Sequence, residues 1–181
     1  ILDLEIPSLW YNDGEMFIEA KKLIGLPIAA LEDQEKIGEI REIIIDPGNG
    51  RVLGFLANVG GIFSPQKALA TVDVREWDPK GIVTSSAENL VEPAEIIRLK
   101  EIIDQKTILI GMKAKTESSK SLGIVEDLLI DTETQSVVKY YLKDLLGKNR
   151  IFTHEQVIKI DKAIIFPDDI IEPTGGAVET Q

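Results

Sequence analysis

The side chain best suited to acid–base chemistry in this sequence is its single histidine, His154. A nucleophilic triad would need this imidazole as its base. A zinc site would need several histidine or cysteine ligands, and the chain has one histidine and no cysteine. We therefore predict that His154 is a surface residue at the start of a short turn, that the chain has no catalytic residue, and that it is not an enzyme.

Carboxylates are the other candidates, because 31 acidic residues could supply a hard-metal site or an acid–base pair. Two short loops concentrate them: Glu32, Asp33 and Glu35 in one, and Asp168, Asp169 and Glu172 in the other. Neither loop has the D-x-D-x-D-G spacing of an EF-hand. We predict solvated acidic faces with no metal and no cofactor, and keep a calcium or magnesium site as the lesser alternative.

Motifs that bind phosphate are incomplete. The Gly48-Asn49-Gly50 segment lacks the further glycine and the helix of a dinucleotide loop, and Gly147-Lys148 lacks the frame of a P-loop. Residues 139–143, KYYLK, mix bases with aromatics as single-strand binders do. Alternation along a half-buried strand explains this run more simply.

The overall charge narrows the range of partners. The formal net charge is −11, which disfavours a nucleic-acid surface and an anionic membrane, since both need clustered Lys and Arg. No apolar run approaches the roughly 18 residues of a transmembrane helix. We expect a cytoplasmic protein without a transmembrane segment, and the absence of cysteine is compatible with a reducing compartment.

Short strands must position these side chains. Residues 36–46 are rich in Ile, the turn at 46–50 reads DPGNG, and residues 52–58 form the return strand of a predicted β-hairpin. We further predict a short helical turn over 64–70. Two more strands are expected near 70–74 and 81–84.

A helix is predicted from Pro93 to Gln105. Pro favours the first helical turn, and the isoleucines that follow give a broad apolar face. We expect this helix to connect two domains and to pack on one of them or between the two. A groove-binding role for a partner is the alternative.

One unit of roughly 80 residues occurs twice, which is the signature of a repeat. Matching segments follow in the same order at an offset of 85 to 89, which falls to 80 at the end. The matched segments are 24–26 with 110–112, 37–40 with 122–125, 44–46 with 129–131, Val52 with Val137, Phe55 with Tyr140, 62–63 with 151–152, and 92–93 with 172–173. His154 then corresponds to Pro65, so the repeat itself does not require an imidazole there.

The first copy resembles a PRC-barrel domain. Its residues 23–28, LIGLPI, and 35–52, EKIGEIREIIIDPGNGRV, are similar to the family's liG-x-pV segment and its GkI-x-dvliD-p-x-tg-rv segment. The second copy is looser, because 132–135 hold no Pro or Gly. The resemblance implies a small β-barrel that binds other proteins and is not catalytic as a class. Such domains occur in the cytoplasmic part of the reaction-centre H subunit and at the C-terminus of a bacterial ribosome maturation factor, and neither specific function carries over by residue.

We therefore predict a mainly β fold with two small PRC-barrel-like antiparallel β-barrels in tandem and a connecting α-helix. The predicted divisions are an N-terminal arm at 1–16, a first repeat at 17–92, the helix at 93–105, a second repeat at 106–173 and a flexible tail at 174–181.

The predicted function is that of a non-catalytic cytoplasmic adaptor that binds a protein partner. Contacts are expected near the loops 59–63 and 145–152, and the candidate residues are Phe63, Phe152, Trp77 and Tyr141. Plugging the barrel ends is an equally good role for the two phenylalanines. A small-ligand-binding protein and a ribosome- or RNA-processing-associated factor are the alternatives. Direct nucleic-acid binding is not expected, and homodimer formation through exposed strand edges stays open.

Overall fold

The structure, a computed structural model, describes residues 11–12, 15–60 and 64–172. Within these residues the chain is mainly β, with two short α-helices. The strands are β1 (Tyr11–Asn12), β2 (Glu15–Glu19), β3 (Pro27–Ala30), β4 (Glu35–Ile45), β5 (Val52–Asn58), β6 (Gln66–Ala70), β7 (Val74–Asp78), β8 (Gly81–Thr84), β9 (Leu90–Val91), β10 (Lys113–Thr116), β11 (Ser121–Asp131), β12 (Ser136–Lys143), β13 (Asn149–Thr153), β14 (Lys159–Ile160) and β15 (Ile164–Phe166). The helices are α1 (Ala20–Leu23) and α2 (Ile97–Asp104), with 3-10 turns at Thr71–Asp73, Ala87–Asn89, Pro93–Glu95 and His154–Gln156.

The first sheet has seven strands in the order β7-β8-β3-β4-β5-β6-β9. Its centre is the predicted hairpin of β4 and β5, which turns through residues 46–50. The Asp46 carboxylate accepts the backbone N–H of Gly48 at 2.8 Å, and Gly50 has a φ of +71°, which glycine adopts without strain. The turn chemistry read from the sequence therefore fixes the hairpin.

The second sheet is an eight-stranded half-barrel in which β11 pairs with β2, β10 and β12. Its connections follow the first sheet closely. β10 pairs antiparallel with β11 and parallel with β15, as β3 pairs with β4 and β8. β12 pairs with β11 and β13, as β5 pairs with β4 and β6.

Irregularities in the ladders also correspond. The β3–β4 register shifts after Ile28, and the β10–β11 register shifts after Ala114. The β4–β5 ladder shifts twice, after Ile40 and after Ile44, and the β11–β12 ladder shifts after Val125 and after Leu129. Such bulges change the direction of the strands that carry them. Their matching places show that residues 85 or 86 apart are equivalent along β3, β4 and β5 and along β10, β11 and β12.

One strand that crosses the predicted boundary between the arm and the first repeat belongs to the second sheet. Residues 17–19 of β2 precede the first sheet in the chain but pair with 131–129 of β11 in the second. The Thr132 N–H donates to the Met16 carbonyl at 3.0 Å, which continues this contact. At the equivalent position of the first sheet stands Pro47, which has no N–H to offer a strand. The predicted division between an arm at 1–16 and a repeat at 17–92 therefore cuts through a strand of the other sheet.

The hairpin turns of the two sheets meet at a junction. Val52 donates its N–H to the Gln135 carbonyl at 2.8 Å, and Val137 donates to the Gly50 carbonyl at 2.9 Å. Val52 is equivalent to Val137, and Gly50 is equivalent to Gln135, so each bond is the counterpart of the other. The junction is therefore close to two-fold symmetric. One continuous cluster of buried apolar side chains runs through both sheets. The core is therefore shared by the two halves.

The predicted connecting helix is shorter and broken. Pro93–Glu95 forms a 3-10 turn, and α2 follows from Ile97. Leu99 and Ile102 of α2 are buried against Ile44, Leu56 and Ala68, on the face of the first sheet that points away from the main core. Of the two expected placements, the buried side chains of α2 show packing on the first sheet.

Two local predictions in the first half are wrong. Residues 66–70 form β6 and not a helical turn, because their alternating small and apolar side chains pair with β5. The strand expected near 70–74 is a 3-10 turn at Thr71–Asp73 that leads into β7.

Candidate partner-binding surfaces

The turn between β12 and β13 carries the most exposed large apolar side chains among the described residues. Leu145 is 91% exposed and Leu146 is 94% exposed. We call residues 144–148 the leucine tip. Transferring such side chains out of water stabilises a contact by about 1.5–3 kcal/mol each, so this surface favours a partner.

Hydrogen bonds hold the leucine tip in one shape. The Asp144 carboxylate accepts the N–H groups of Leu146 and Lys148, each at 2.9 Å. These bonds, together with the nearby cations Arg150 and Lys148, lower the pKa of Asp144 despite some desolvation. Gly147 has a φ of +80° and its N–H donates to the Asp144 carbonyl at 3.0 Å. The turn is therefore pre-organised, which reduces the entropy lost on binding.

The hairpin of β12 and β13, which carries the leucine tip, has a positive net charge between residues 139 and 150, whereas the whole protein has a net charge of −11. Residues 1–105 hold ten cationic and nineteen acidic side chains, whereas residues 106–181 hold ten and twelve. Between 139 and 150 the charged residues are Lys139, Lys143, Asp144, Lys148 and Arg150. The hairpin therefore carries four cationic side chains and one acidic side chain beside the two exposed leucines.

The four predicted contact residues are not brought together at a surface. Phe152 is 1% exposed and Trp77 is 8% exposed, and both belong to the shared core. Phe152 packs against Phe166, and Trp77 packs edge-to-face against Phe55. Phe63 lies outside the described residues. Burial thus removes two of the predicted contacts from the surface, and core packing accounts for them.

Tyr141 is the predicted residue that keeps some exposure. It is half-buried on the outer face of the second sheet, where it pairs with Asp127 and Ile151. Burial raises the pKa of Tyr141, and the carboxylates of Glu19 and Asp127 act in the same direction. The equivalent face of the first sheet is covered by α2, which lies over Leu56.

His154 belongs to the junction and is not a surface residue. It begins the predicted short turn and is half-buried. Its Nδ1 lies 2.8 Å from the hydroxyl of buried Tyr140, and its ring also bonds to the backbone of Asn49 across the junction. Strand pairing makes Thr71 its counterpart in the first sheet, so the assignment to Pro65 is wrong. Burial lowers the pKa of His154, which favours the neutral ring.

The two repeat-equivalent aspartates have separate structural roles. Asp46 is bound by Arg98 of α2, while Asp131 accepts bonds from the backbone and hydroxyl of Thr134. Within the described residues, no three His, Asp or Glu side chains are grouped so that they could hold a metal ion.

A cleft of about 390 Å³ opens at the end of the first sheet that is remote from the junction. Half-buried Ile37, Val59, Ala87 and Leu90 form its floor. Its charged lining residues are Glu35, Lys36 and Lys67. Lys36 pairs with Glu39, and Lys67 pairs with Glu92 at 2.7 Å. The cleft is therefore an open concave surface lined by both apolar and charged side chains.

A half-barrel with a bulged central hairpin places the chain among proteins with a mainly β, barrel-like fold. Residues 15–90 match the family model of the PRC-barrel domain, and the chain contains a PRC-barrel domain over those residues. None of the curated proteins compared with the chain matches it. Neither described helix is long and apolar enough to cross a membrane.

Proposed function

We propose that the chain is a non-catalytic, cytoplasmic protein-binding module, an adaptor built from two PRC-barrel-like units in tandem. The observation that carries the binding proposal is the adjacent pair Leu145 and Leu146, which are almost fully exposed on a turn that hydrogen bonds hold rigid. An apolar pair of this kind is disfavoured in water unless a partner covers it.

The tandem arrangement is supported by the correspondence of the two sheets. Gly25 and Gly111 have φ values of +85° and +87° at equivalent positions, and each donates its N–H at 2.7–2.8 Å to the equivalent residue, Ile40 or Val125. Three register shifts recur at matching places. Chance would not give the same bulges in the same order, which favours duplication of one unit.

The experiment compares three baits in the organism that makes the protein. Tagged wild type and the Leu145→Ser/Leu146→Ser variant are purified from it, and the proteins retained are quantified by mass spectrometry. Val72→Ser is the matched control, because Val72 is an equally exposed apolar residue in a 3-10 turn of the other half. We expect a partner that wild type and Val72→Ser retain and the double variant loses. Equal retention by all three baits would remove the leucine tip from the proposal.

The substitutions should leave the fold intact, since side chains this exposed contribute little to stability. Equal unfolding midpoints of wild type and the double variant establish this. The small-ligand and ribosome-associated alternatives remain predictions from the sequence.

A further inference from the structure

The leucine tip and the cleft lie at opposite ends of the molecule. β5 and β12 start side by side at the junction, where Arg51 and Ser136 form an antiparallel bridge. From there β5 runs to Asn58 beside the cleft, and β12 runs the other way to Lys143 beside the tip. Each strand covers roughly 20 Å at about 3.3 Å per residue. The tip therefore cannot reach the cleft of its own chain.

The shapes of the two surfaces are complementary. The tip is a convex turn with two adjacent leucine side chains, and the cleft is a concave surface lined in part by the apolar side chains of Ile37, Val59 and Leu90. The cleft volume of about 390 Å³ falls within the range of roughly 300–1,000 Å³ that is typical of small-molecule binding pockets. A pair of leucine side chains fits such a volume.

The charges are complementary as well. At the cleft, Glu39 pairs with Lys36 and Glu92 pairs with Lys67. The carboxylate of exposed Glu35 therefore makes the net charge of the rim negative. At the tip, the Asp144 carboxylate is engaged by backbone N–H groups and by Arg150 at 3.6 Å. Exposed Lys148 therefore gives the tip a positive edge. Opposite charges at the rim of an apolar contact favour association and fix its register.

We propose that the leucine tip of one copy docks into the cleft of a second copy, so that the protein associates head to tail. Such a contact joins two different surfaces, and repeated addition gives a ring or an open chain. The inference rests on the proposed function only in treating the leucine tip as a contact surface. Association would cover the tip until a partner competes for it.

The test measures the mass of the whole purified protein by sedimentation velocity and light scattering, from micromolar to near-millimolar concentration. We expect the wild-type mass to rise with concentration beyond that of a dimer. The Leu145→Ser/Leu146→Ser variant, with an intact cleft, and Ala87→Trp, which fills the cleft and keeps the tip, should each stay monomeric. Mixed in equal amounts, these two variants should form dimers and nothing larger, since one tip and one cleft remain.

Charge reversal gives a second measurement that does not depend on filling the cleft. Glu35→Lys and Lys148→Glu should each weaken association several-fold, and the two changes combined in one chain should restore it. Val72→Ser should associate as wild type does. A wild-type protein that stays monomeric at every concentration, or a tip variant that associates as strongly as wild type, overturns the proposal. Neither result bears on whether the tip binds a host partner, which the bait experiment measures. The two proposals can therefore be rejected independently of each other.

Discussion

Arg98 binds the carboxylate of Asp46 with two hydrogen bonds, from Nε to Oδ2 at 3.1 Å and from Nη2 to Oδ1 at 3.0 Å. Asp46 ends β4 and is 7% exposed, and Arg98 lies in the first turn of α2. The pair therefore ties the helix to the turn of the central hairpin. The Arg98 hydrogen bonds lower the pKa of Asp46, while burial opposes them and the Gly48 N–H assists.

Replacement of Asp46 by Asn should weaken this link. Loss of a charged, two-point hydrogen bond at a buried acceptor lowers the free energy of unfolding by about 1–3 kcal/mol. Because the folded pKa of Asp46 lies below its ordinary value of about 4, its contribution is complete above that pH and is lost as the pH falls through the folded pKa. Urea unfolding of wild type and Asp46→Asn at neutral and acidic pH measures both effects.

Lys100→Ala is the control for that series, because Lys100 pairs with Asp104 on the exposed side of the same helix. Exposed pairs one helical turn apart contribute little, so its unfolding midpoint should match that of wild type. A stability gap between wild type and Asp46→Asn that stays constant as the pH falls would contradict the assigned role.

His154 should make the junction sensitive to acid. The Asn49 contact raises its pKa, as a carbonyl acceptor does, so one ring N–H is donated there and the other nitrogen accepts the Tyr140 hydroxyl. Protonation removes that acceptor and leaves the buried hydroxyl without one. Burial is the larger effect and lowers the folded pKa, so stability is full above about pH 6.5 and declines as the pH falls from there towards the folded pKa.

The measurement is the difference in unfolding free energy between wild type and His154→Gln, followed from pH 8 to pH 5. Glu42 and Asp127, whose pKa values burial raises, change stability in the opposite sense in both proteins and cancel in the difference. We expect the wild type to lose stability relative to the variant as the pH falls. A His154 resonance that titrates at or above the ordinary value in an NMR experiment would rule this out.

Local chemistry made the central hairpin predictable. The turn residues and the run of isoleucines placed β4 and β5 within a residue or two of their observed bounds, because Pro and Gly constrain φ directly. The 145–152 loop is also predicted from the sequence as a place where exposed apolar residues make contacts, and Leu145 and Leu146 are exposed there. Phe152 in the same stretch is buried, because alternation along β13 turns it inward.

Long-range pairing was not predictable from the sequence. β2 pairs with β11 across more than a hundred residues, and nothing in the sequence of either strand identifies its partner. The role of His154 was missed for a related reason. The connection from β12 to β13 is two residues shorter than that from β5 to β6. The offset between equivalent residues therefore falls by two after this loop, and the counterpart of His154 is Thr71.

Gly54 is predicted to control the docking of α2. A Cβ at this position would lie 2.4 Å from the Leu69 carbonyl oxygen and 2.8 Å from Leu99 Cδ1 of the helix. Gly54→Ala should therefore displace the helix and lower the free energy of unfolding by about 1–3 kcal/mol. Hydrogen exchange of α2 amides, faster in the variant, locates the effect. Lys139→Ala at the equivalent position of the second sheet, where the residue is exposed, should change neither quantity.

Alanine substitutions at Gly50 and Gly25, compared with each other, distinguish the effect of backbone strain from that of a steric conflict at the junction. Both have positive φ, +71° and +85°, so alanine at either position is strained by roughly 1 kcal/mol. A Cβ on Gly25 meets nothing within 4 Å, whereas one on Gly50 would lie 2.6 Å from Cε1 of His154. Gly50→Ala should therefore be clearly more destabilising than Gly25→Ala.

A double-mutant cycle with His154→Ala tests the cause. The additional destabilisation by Gly50→Ala should disappear when the imidazole is absent, giving an interaction energy of about 1 kcal/mol or more. Gly25→Ala and His154→Ala should be additive. Equal costs for the two glycines, or an additive Gly50 cycle, would show that the imidazole does not hold the turn of the first sheet in place.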